Sequence, residues 1–187
     1  MAAYERDRQG VSAETVCKGL CDLDIYNSFE KGEDVGDIHV VRLLLQRLGI
    51  SASFAGRYLC RDEYDEMHAR FNILELLRAD ELILAKTAAL EYKNRYCAGS
   101  RLNKQFMTYM NARIAQLDGD SVEALHLYKK AIGYTIEDYG VAEFTCISVY
   151  EYFMLANIAR LNAVFENYME AEKLYERLLA YCHRRNS

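Results

Sequence analysis

The stretch from Asn111 to Lys130, NARIAQLDGDSVEALHLYKK, carries the main signal for the fold. On both sides of Asp118-Gly119-Asp120 its apolar residues recur every three or four positions, which is the period of an amphipathic α-helix rather than a strand. The three central residues are turn formers, so they separate two helices. Because a short connection forces its flanking helices to lie antiparallel, the stretch predicts a helical hairpin.

A second stretch, from Ile158 to Arg177, repeats the first after 47 residues, with six identities in twenty aligned positions. Small alanines let two helices approach closely, and a tyrosine fills the wedge beside them. A fainter third copy has Ile73 and Ala85 at the two alanine positions and Asp80 in the turn. The identical positions pair Ala112 with Ala159, Arg113 with Arg160, Glu123 with Glu170, Ala124 with Ala171, Leu127 with Leu174 and Tyr128 with Tyr175.

The helical period recurs across the C-terminal two thirds of the chain, and none of the 187 residues is a proline that would interrupt a helix. No segment alternates with a period of two for more than a few residues. We therefore predict an all-α chain without a β-sheet. The predicted helices of this region cover residues 62–79, 81–96, 102–117, 121–134, 146–164 and 168–182.

Composition and charge exclude several classes of protein. The chain is 51% hydrophobic and 27% charged, which is ordinary for a globular protein, and its net charge of −5 gives no general attraction to nucleic acid or anionic lipid. Glu5-Arg6-Asp7-Arg8 stands where a signal peptide would be apolar, and no apolar run approaches the roughly 18 residues of a membrane span. We expect a cytoplasmic protein without a membrane contact.

The order of alanine, turn, alanine and then a tyrosine four residues later resembles the tetratricopeptide (TPR) repeat. That repeat is about 34 residues long, and the 13 extra residues of the 47-residue spacing fall in a long connection at 133–145. The resemblance implies antiparallel hairpins stacked as a right-handed superhelix with a concave groove. A generic helical bundle with recurrent alanines is the alternative.

The N-terminal region differs in character, with short amphipathic segments at 12–20, 22–30 and 37–48. Ser12 and Asp37 are good N-caps, and Gly49 ends the third segment. The motifs SAETVCKGLC (12–21), FEKGE (29–33) and RLGI (47–50) resemble a Cro/CI-type (XRE) helix-turn-helix. With the TPR-like region they resemble the Rgg and PlcR-like peptide-sensing regulators of bacteria. This resemblance implies a head at 1–58 and a repeat domain at 59–187.

The resemblance also places a DNA-recognition helix at 22–28, with Asp24, Asn27 and Ser28 facing DNA. The carboxylates of Asp22 and Asp24 would repel phosphates and offer no contact to guanine. Residues 1–50 contain six basic and nine acidic side chains, a net charge of −3. We therefore interpret the head as a truncated, degenerate helix-turn-helix that binds duplex DNA weakly and with little sequence preference. Its helices would then serve as a packing cap or a dimer surface.

Signals for catalysis, metals or cofactors are weak. The four histidines lack metal-ligand spacing, and there is no glycine-rich phosphate loop and no GxSxG. His68 with Glu63 and Glu66 is the nearest approach to a ligand cluster. Cys17 and Cys21 are the one weak metal or redox pair among six cysteines that we expect to be free thiols. We predict a non-enzymatic protein without a cofactor, although a site built from distant residues would escape motif analysis.

The first helices of the hairpins would line a TPR groove. They carry arginines, which hold carboxylates through two parallel hydrogen bonds, so we predict that the groove binds an anionic peptide or protein segment. Alternatively, Arg113 and Arg160 are surface residues paired with carboxylates of neighbouring helices. The candidate peptide-binding residues are Arg70, Tyr109, Arg113, Gln116, Asn157 and Arg160.

Two functional hypotheses follow. The first is a peptide- or protein-binding sensor domain of a bacterial XRE-family transcriptional regulator. The alternative is a pure protein–protein interaction scaffold that has lost DNA binding. The last predicted hairpin runs into Tyr181-Cys182-His183-Arg184 without a polar capping helix, which favours a truncated chain or a homodimer.

Overall fold

The computed structural model of the chain describes residues 1–33, 35–51, 61–141 and 143–186. This part of the chain contains ten α-helices and no strand, which confirms the prediction of an all-helical protein. The helices are α1 (Ala2–Arg8), α2 (Ala13–Cys17), α3 (Leu23–Lys31), α4 (Ile38–Arg47), α5 (Arg61–Arg78), α6 (Leu82–Tyr96), α7 (Arg101–Leu117), α8 (Ser121–Gly133), α9 (Val149–Val164) and α10 (Tyr168–Asn186).

Helices α5 to α10 form three consecutive hairpins, and each helix packs on the next one along the chain. Each hairpin turn contains a residue with a positive φ: Asp80 at 61°, Gly119 at 88° and Glu166 at 61°. This left-handed conformation reverses the chain within a few residues, and Asp and Glu adopt it at some cost. The three turns therefore use the same backbone device, although only one of them has a glycine.

The positions predicted to lie where helices approach closely are buried in the core of the hairpins. Tyr128 is 1% exposed, whereas Tyr175, its counterpart in the last hairpin, is 40% exposed. The two tyrosines share a sequence position but not an environment, because α8 packs against both α7 and α9, whereas α10 packs mainly on α9. The residues predicted at the close contacts are all buried, and they are Ile73, Ala85, Ala112, Ala124, Ala159 and Ala171.

The N-terminal helices have a smaller core, centred on Val16, Tyr26 and Leu44, to which Leu102 and Cys146 from the second part of the chain also belong. The predicted caps are confirmed: Ser12 Oγ accepts from the amide of Thr15 at 3.2 Å, and Asp37 Oδ1 accepts from the amide of His39 at 2.8 Å. Helix α2 ends at Cys17, earlier than predicted, because the chain turns through Gly19 at a φ of 74°. Helix α1 was not predicted. It is joined to α3 by Arg6, whose Nε donates to Glu30 at 2.7 Å.

Helix α4 attaches the N-terminal helices to the hairpins through Arg47, which is 2% exposed. Its guanidinium donates to both carboxylate oxygens of Glu151 on α9, at 2.6 and 3.2 Å. It also donates to the carbonyls of Val16 and Lys18, at 2.8 and 2.7 Å. The guanidinium thus joins α2, α4 and α9. The predicted boundary at residue 58 lies outside the described residues.

Candidate ligand-binding surface

Four of the six predicted groove residues surround Tyr128 on α8. The Tyr128 hydroxyl donates to Gln116 Oε1 at 3.0 Å, and its ring lies 5.9 Å from that of Tyr109 between centroids. Arg113 and Arg160 act electrostatically on the same hydroxyl. We call these five residues the Tyr128 surface; Arg160 is exposed, Arg113 and Gln116 are half-buried, and the two tyrosine rings are buried. It contains four of the six predicted residues, among them Arg113 and Arg160 at equivalent positions of the repeat.

The charges of Arg113 and Arg160 are not neutralised within the described chain. Burial, followed by the neighbouring Tyr109, raises the pKa of Tyr128, and the two guanidinium groups partly oppose that increase. Arg113 is half-buried and Arg160 is exposed. Neither forms an ion pair with a carboxylate in the described ranges, whereas Lys86 on α6 pairs with Asp118 at 2.6 Å. Two cations on one surface without anionic partners favour an anionic ligand.

Asn157 lies on α9, one turn before Arg160, but its amide is engaged locally. Its Nδ2 donates to the carbonyl of Phe153 in the same helix at 2.8 Å. Such bonds to a carbonyl four residues earlier are a local use of the side chain that competes with ligand contacts. In this arrangement Asn157 offers a ligand its carbonyl oxygen rather than this N–H group.

Arg70, another predicted groove residue, lies apart from the Tyr128 surface. Its Nε donates to the Tyr92 hydroxyl at 2.8 Å, and its Nη2 donates to Asn103 Oδ1 at 2.5 Å. The guanidinium lies 4.5 Å from the ring centroid of Phe106 and 3.4 Å from a carboxylate oxygen of Glu66. These contacts join α5, α6 and α7, so Arg70 has a structural role that the sequence did not reveal.

The carboxylate of Glu66 connects this network to the N-terminal helices. It lies 2.7 Å from His39 Nε2 on α4 and accepts from the Tyr92 hydroxyl at 2.8 Å. Burial alone would raise the pKa of Glu66, but the hydrogen bond and charge of His39, aided by Tyr92 and Arg70, lower it to about 2. Glu66 is thus a structural carboxylate. Because His39, Tyr92 and Arg70 already occupy it, it is not free to act with His68 as a metal ligand.

The residues predicted to face DNA lie on α3. Asp24 and Asn27 are exposed, and Ser28 is half-buried. Leu23 and Ile25, at 37% and 40% exposure, accompany them on the outside of the helix. A phosphate backbone that approached this face would meet a carboxylate and apolar side chains rather than cations.

Metal and redox sites find no support in the described ranges. No group of three potential metal ligands occurs there, and the five cysteines described there are free thiols. Burial raises the pKa of Cys17 and, with the neighbouring Cys17 thiol and Asp22, raises that of Cys21 to about 11. These two thiols therefore have little of the thiolate form that binds metal or reacts.

Comparison with known proteins finds no matching family model, no matching curated protein and no matching solved structure. Among the described helices, none is both long and apolar enough to cross a membrane.

Proposed function

We propose that this chain is a non-enzymatic, TPR-like helical-repeat protein that binds an anionic peptide or protein segment, as the sensor domain of an XRE-type regulator does. The observation that carries the proposal is the Tyr128 surface, where Arg113 and Arg160 lie on successive hairpins without carboxylate partners among the described residues. Guanidinium groups hold carboxylates in bidentate hydrogen bonds, and repeated hairpins present them at repeated positions along a bound chain.

The position of α4 is consistent with the Tyr128 surface being the part of the hairpins that a ligand can reach. Helix α4 packs near the N-terminal halves of α7 and α9, where it shares a cavity with Phe106 and Met154 and binds Glu151. Arg113 and Arg160 lie in the C-terminal halves of the same two helices. A peptide can therefore reach both arginines without displacing α4.

The test uses a fluorescein-labelled nonapeptide of alternating Glu and Ala as the anionic probe, with its Gln-for-Glu counterpart as the neutral one. We expect fluorescence anisotropy to show binding of the anionic probe that weakens as salt increases. Arg113→Gln and Arg160→Gln should each weaken binding by about 1.5–3 kcal/mol, the range for a hydrogen bond to a charged group. Arg78→Gln on α5 is the matched control, because that exposed arginine pairs with Glu75.

The outcome that contradicts the proposal is specific to these arginines. If Arg113→Gln unfolds several degrees earlier and still binds the probe with the original affinity, Arg113 is a structural residue. Equal binding of the neutral peptide would also show that charge does not select the ligand.

A second candidate function, an interaction scaffold without DNA binding, is favoured by one observation. The buried bonds of Arg47 fix α4 to α9, and the adjacent α3 exposes carboxylates where a regulator needs cations. Anisotropy of a random duplex and of the promoter upstream of the chain's own gene separates the two candidates. Weak and unselective binding at physiological salt favours the scaffold, whereas tight, promoter-selective binding favours the regulator.

A further inference from the structure

A cavity lies between four helices and borders the Tyr128 surface at Tyr109. Each helix contributes positions at helical spacing: 39, 42, 43 and 46 from α4, 67, 70, 71 and 74 from α5, 102, 105, 106 and 109 from α7, and 150 and 154 from α9. Its enclosed volume is only about 40 Å³, and the rest of its space is open to solvent at the mouth. Ligand sites commonly lie between helices in this way, and this one has room inside for only part of a small ligand.

The inner and outer walls of the cavity differ. The inner wall consists of buried apolar and aromatic side chains, among them Phe106, Tyr109 and Met154. The outer wall includes Arg42, which is half-buried, and Phe71, which is 47% exposed. A molecule in this cavity would therefore place an apolar body inside and a polar group near the mouth.

Two arginines, Arg42 and Arg70, line the cavity together with His39, and no acidic side chain of the described chain lines it. Glu66, behind the wall, contacts Arg70 and His39. Arg42 has no such partner in the described ranges: its Nη1 lies 3.1 Å from the sulfur of Met67, and its guanidinium lies 5.8 Å from the centroid of Phe71.

A second polar group in the wall also lacks a partner. Gln46 lines the cavity one helical turn after Arg42, and its side-chain carbonyl oxygen is buried without a hydrogen-bond donor among the described residues. Buried polar atoms are normally satisfied, so this wall has unused hydrogen-bonding capacity as well as unused charge.

We propose that this cavity binds a small apolar monocarboxylate, with its ring or branched chain against Phe106 and Tyr109 and its carboxylate on Arg42. The shared chemistry, an apolar group bearing a free carboxylate, occurs in small metabolites and at the C-terminal residue of a peptide. The cavity and the Tyr128 surface share Tyr109 but use different arginines, Arg42 in the cavity and Arg113 and Arg160 on the Tyr128 surface.

The test is isothermal titration calorimetry of the full chain with phenylacetate, with the neutral phenylacetamide as the matched ligand. We expect phenylacetate to bind and the amide to bind at least about tenfold more weakly, because only the acid gains a charged hydrogen bond. Arg42→Gln should weaken phenylacetate by a similar factor, and Arg42→Lys, which keeps the charge but not the fork of donors, should weaken it less. The tripeptide Ala-Ala-Phe, with a free or an amidated C-terminus, identifies which source of carboxylate the cavity accepts.

The control is Arg113→Gln, which should bind phenylacetate unchanged whatever its effect on the acidic nonapeptide. Failure of the two proposals is thus distinguishable. Absence of phenylacetate binding at millimolar concentration would overturn the cavity proposal. So would equal binding of phenylacetamide, or full phenylacetate affinity in an Arg42→Gln protein whose melting temperature is unchanged.

Discussion

Replacing Arg47 by methionine tests how the N-terminal helices are held against the hairpins. Arg47 and Glu151 are 104 residues apart in sequence, and each side chain is 2% exposed. The substitution removes two bonds to Glu151 and one each to the carbonyls of Val16 and Lys18. It leaves the carboxylate of Glu151 buried, with the backbone amide of Ser148 still donating to it at 2.7 Å.

The expected loss of stability is large at neutral pH. Removing one partner of a buried ion pair costs about 3–5 kcal/mol, because the other charge remains without compensation. A native domain is stable by only about 5–15 kcal/mol, so Arg47→Met should unfold at a much lower urea concentration. In the double variant Arg47→Met/Glu151→Leu no charge is stranded. Its loss should therefore be smaller than the sum of the two single losses, by at least about 2–3 kcal/mol.

The dependence on pH supplies a second, independent measurement. Burial alone would raise the pKa of Glu151, but the charge and hydrogen bonds of Arg47, with the Ser148 amide, lower it. In the original protein this stabilisation is present above the unfolded pKa of about 4.3 and is lost as the pH falls below it. Without Arg47 we expect burial to raise the pKa of Glu151. The cost of Arg47→Met should then increase with pH above about 4.3 and be smallest in acid.

Urea denaturation followed by circular dichroism, at several pH values between 4 and 8, measures both effects. The exposed pair Arg78 and Glu75 on α5 provides the control cycle, in which we expect coupling of at most about 0.5 kcal/mol. If the Arg47 and Glu151 losses are additive, and the Arg47→Met cost does not change with pH, the two side chains are not a buried pair. The attachment of α4 to α9 would then be refuted.

Two further predictions concern other contacts of the N-terminal helices. Gly19→Ala should cost about 2–4 kcal/mol of stability in a urea titration, because its φ is 74° and a Cβ would meet the carbonyl of Thr135. The control Gly10→Ala, at a φ of 64° in open space, should cost only about 1–2 kcal/mol. Equal costs would contradict the contact with Thr135. Because the pKa of Glu66 is lowered to about 2, the stability that its carboxylate gives the folded chain should be full above about pH 5 and be lost as the pH falls towards 2. Glu66→Gln should therefore flatten this acid arm of the stability curve. An unchanged acid arm would show that Glu66 does not contribute to it.

The hairpins were predictable because their signals are local. Periodic apolar residues, the turn residues and the caps act within a few positions of one another, and the predicted helix ends agree with the structure to within three or four residues. The environment of Tyr175 was not predictable in this way. It occupies the same repeat position as Tyr128, and the helices that pack next to it decide whether it is buried.

The predicted groove residues come together only where they follow the repeat. Arg113 and Arg160 occupy equivalent positions of the repeat, and both act electrostatically on the Tyr128 hydroxyl. Arg70 follows no such rule, since its partners are on two other helices and its role depends on their placement.

The position of α4 depends on polar residues that interrupt apolar faces. In sequence, Arg47 looks like a cation at a helix C-terminus, and Glu151 looks like the third residue of a capping box, which it also is. Nothing in either local pattern identifies the other residue as its partner.

His39 and Arg42 on α4 lie at positions where an amphipathic helix would bury apolar residues, and a polar group placed there needs a partner. His39 has its partner in Glu66, whereas Arg42 has no carboxylate within reach in the described chain. A cation kept at such a position without an internal anion is the strongest reason to expect that the anion comes from a ligand.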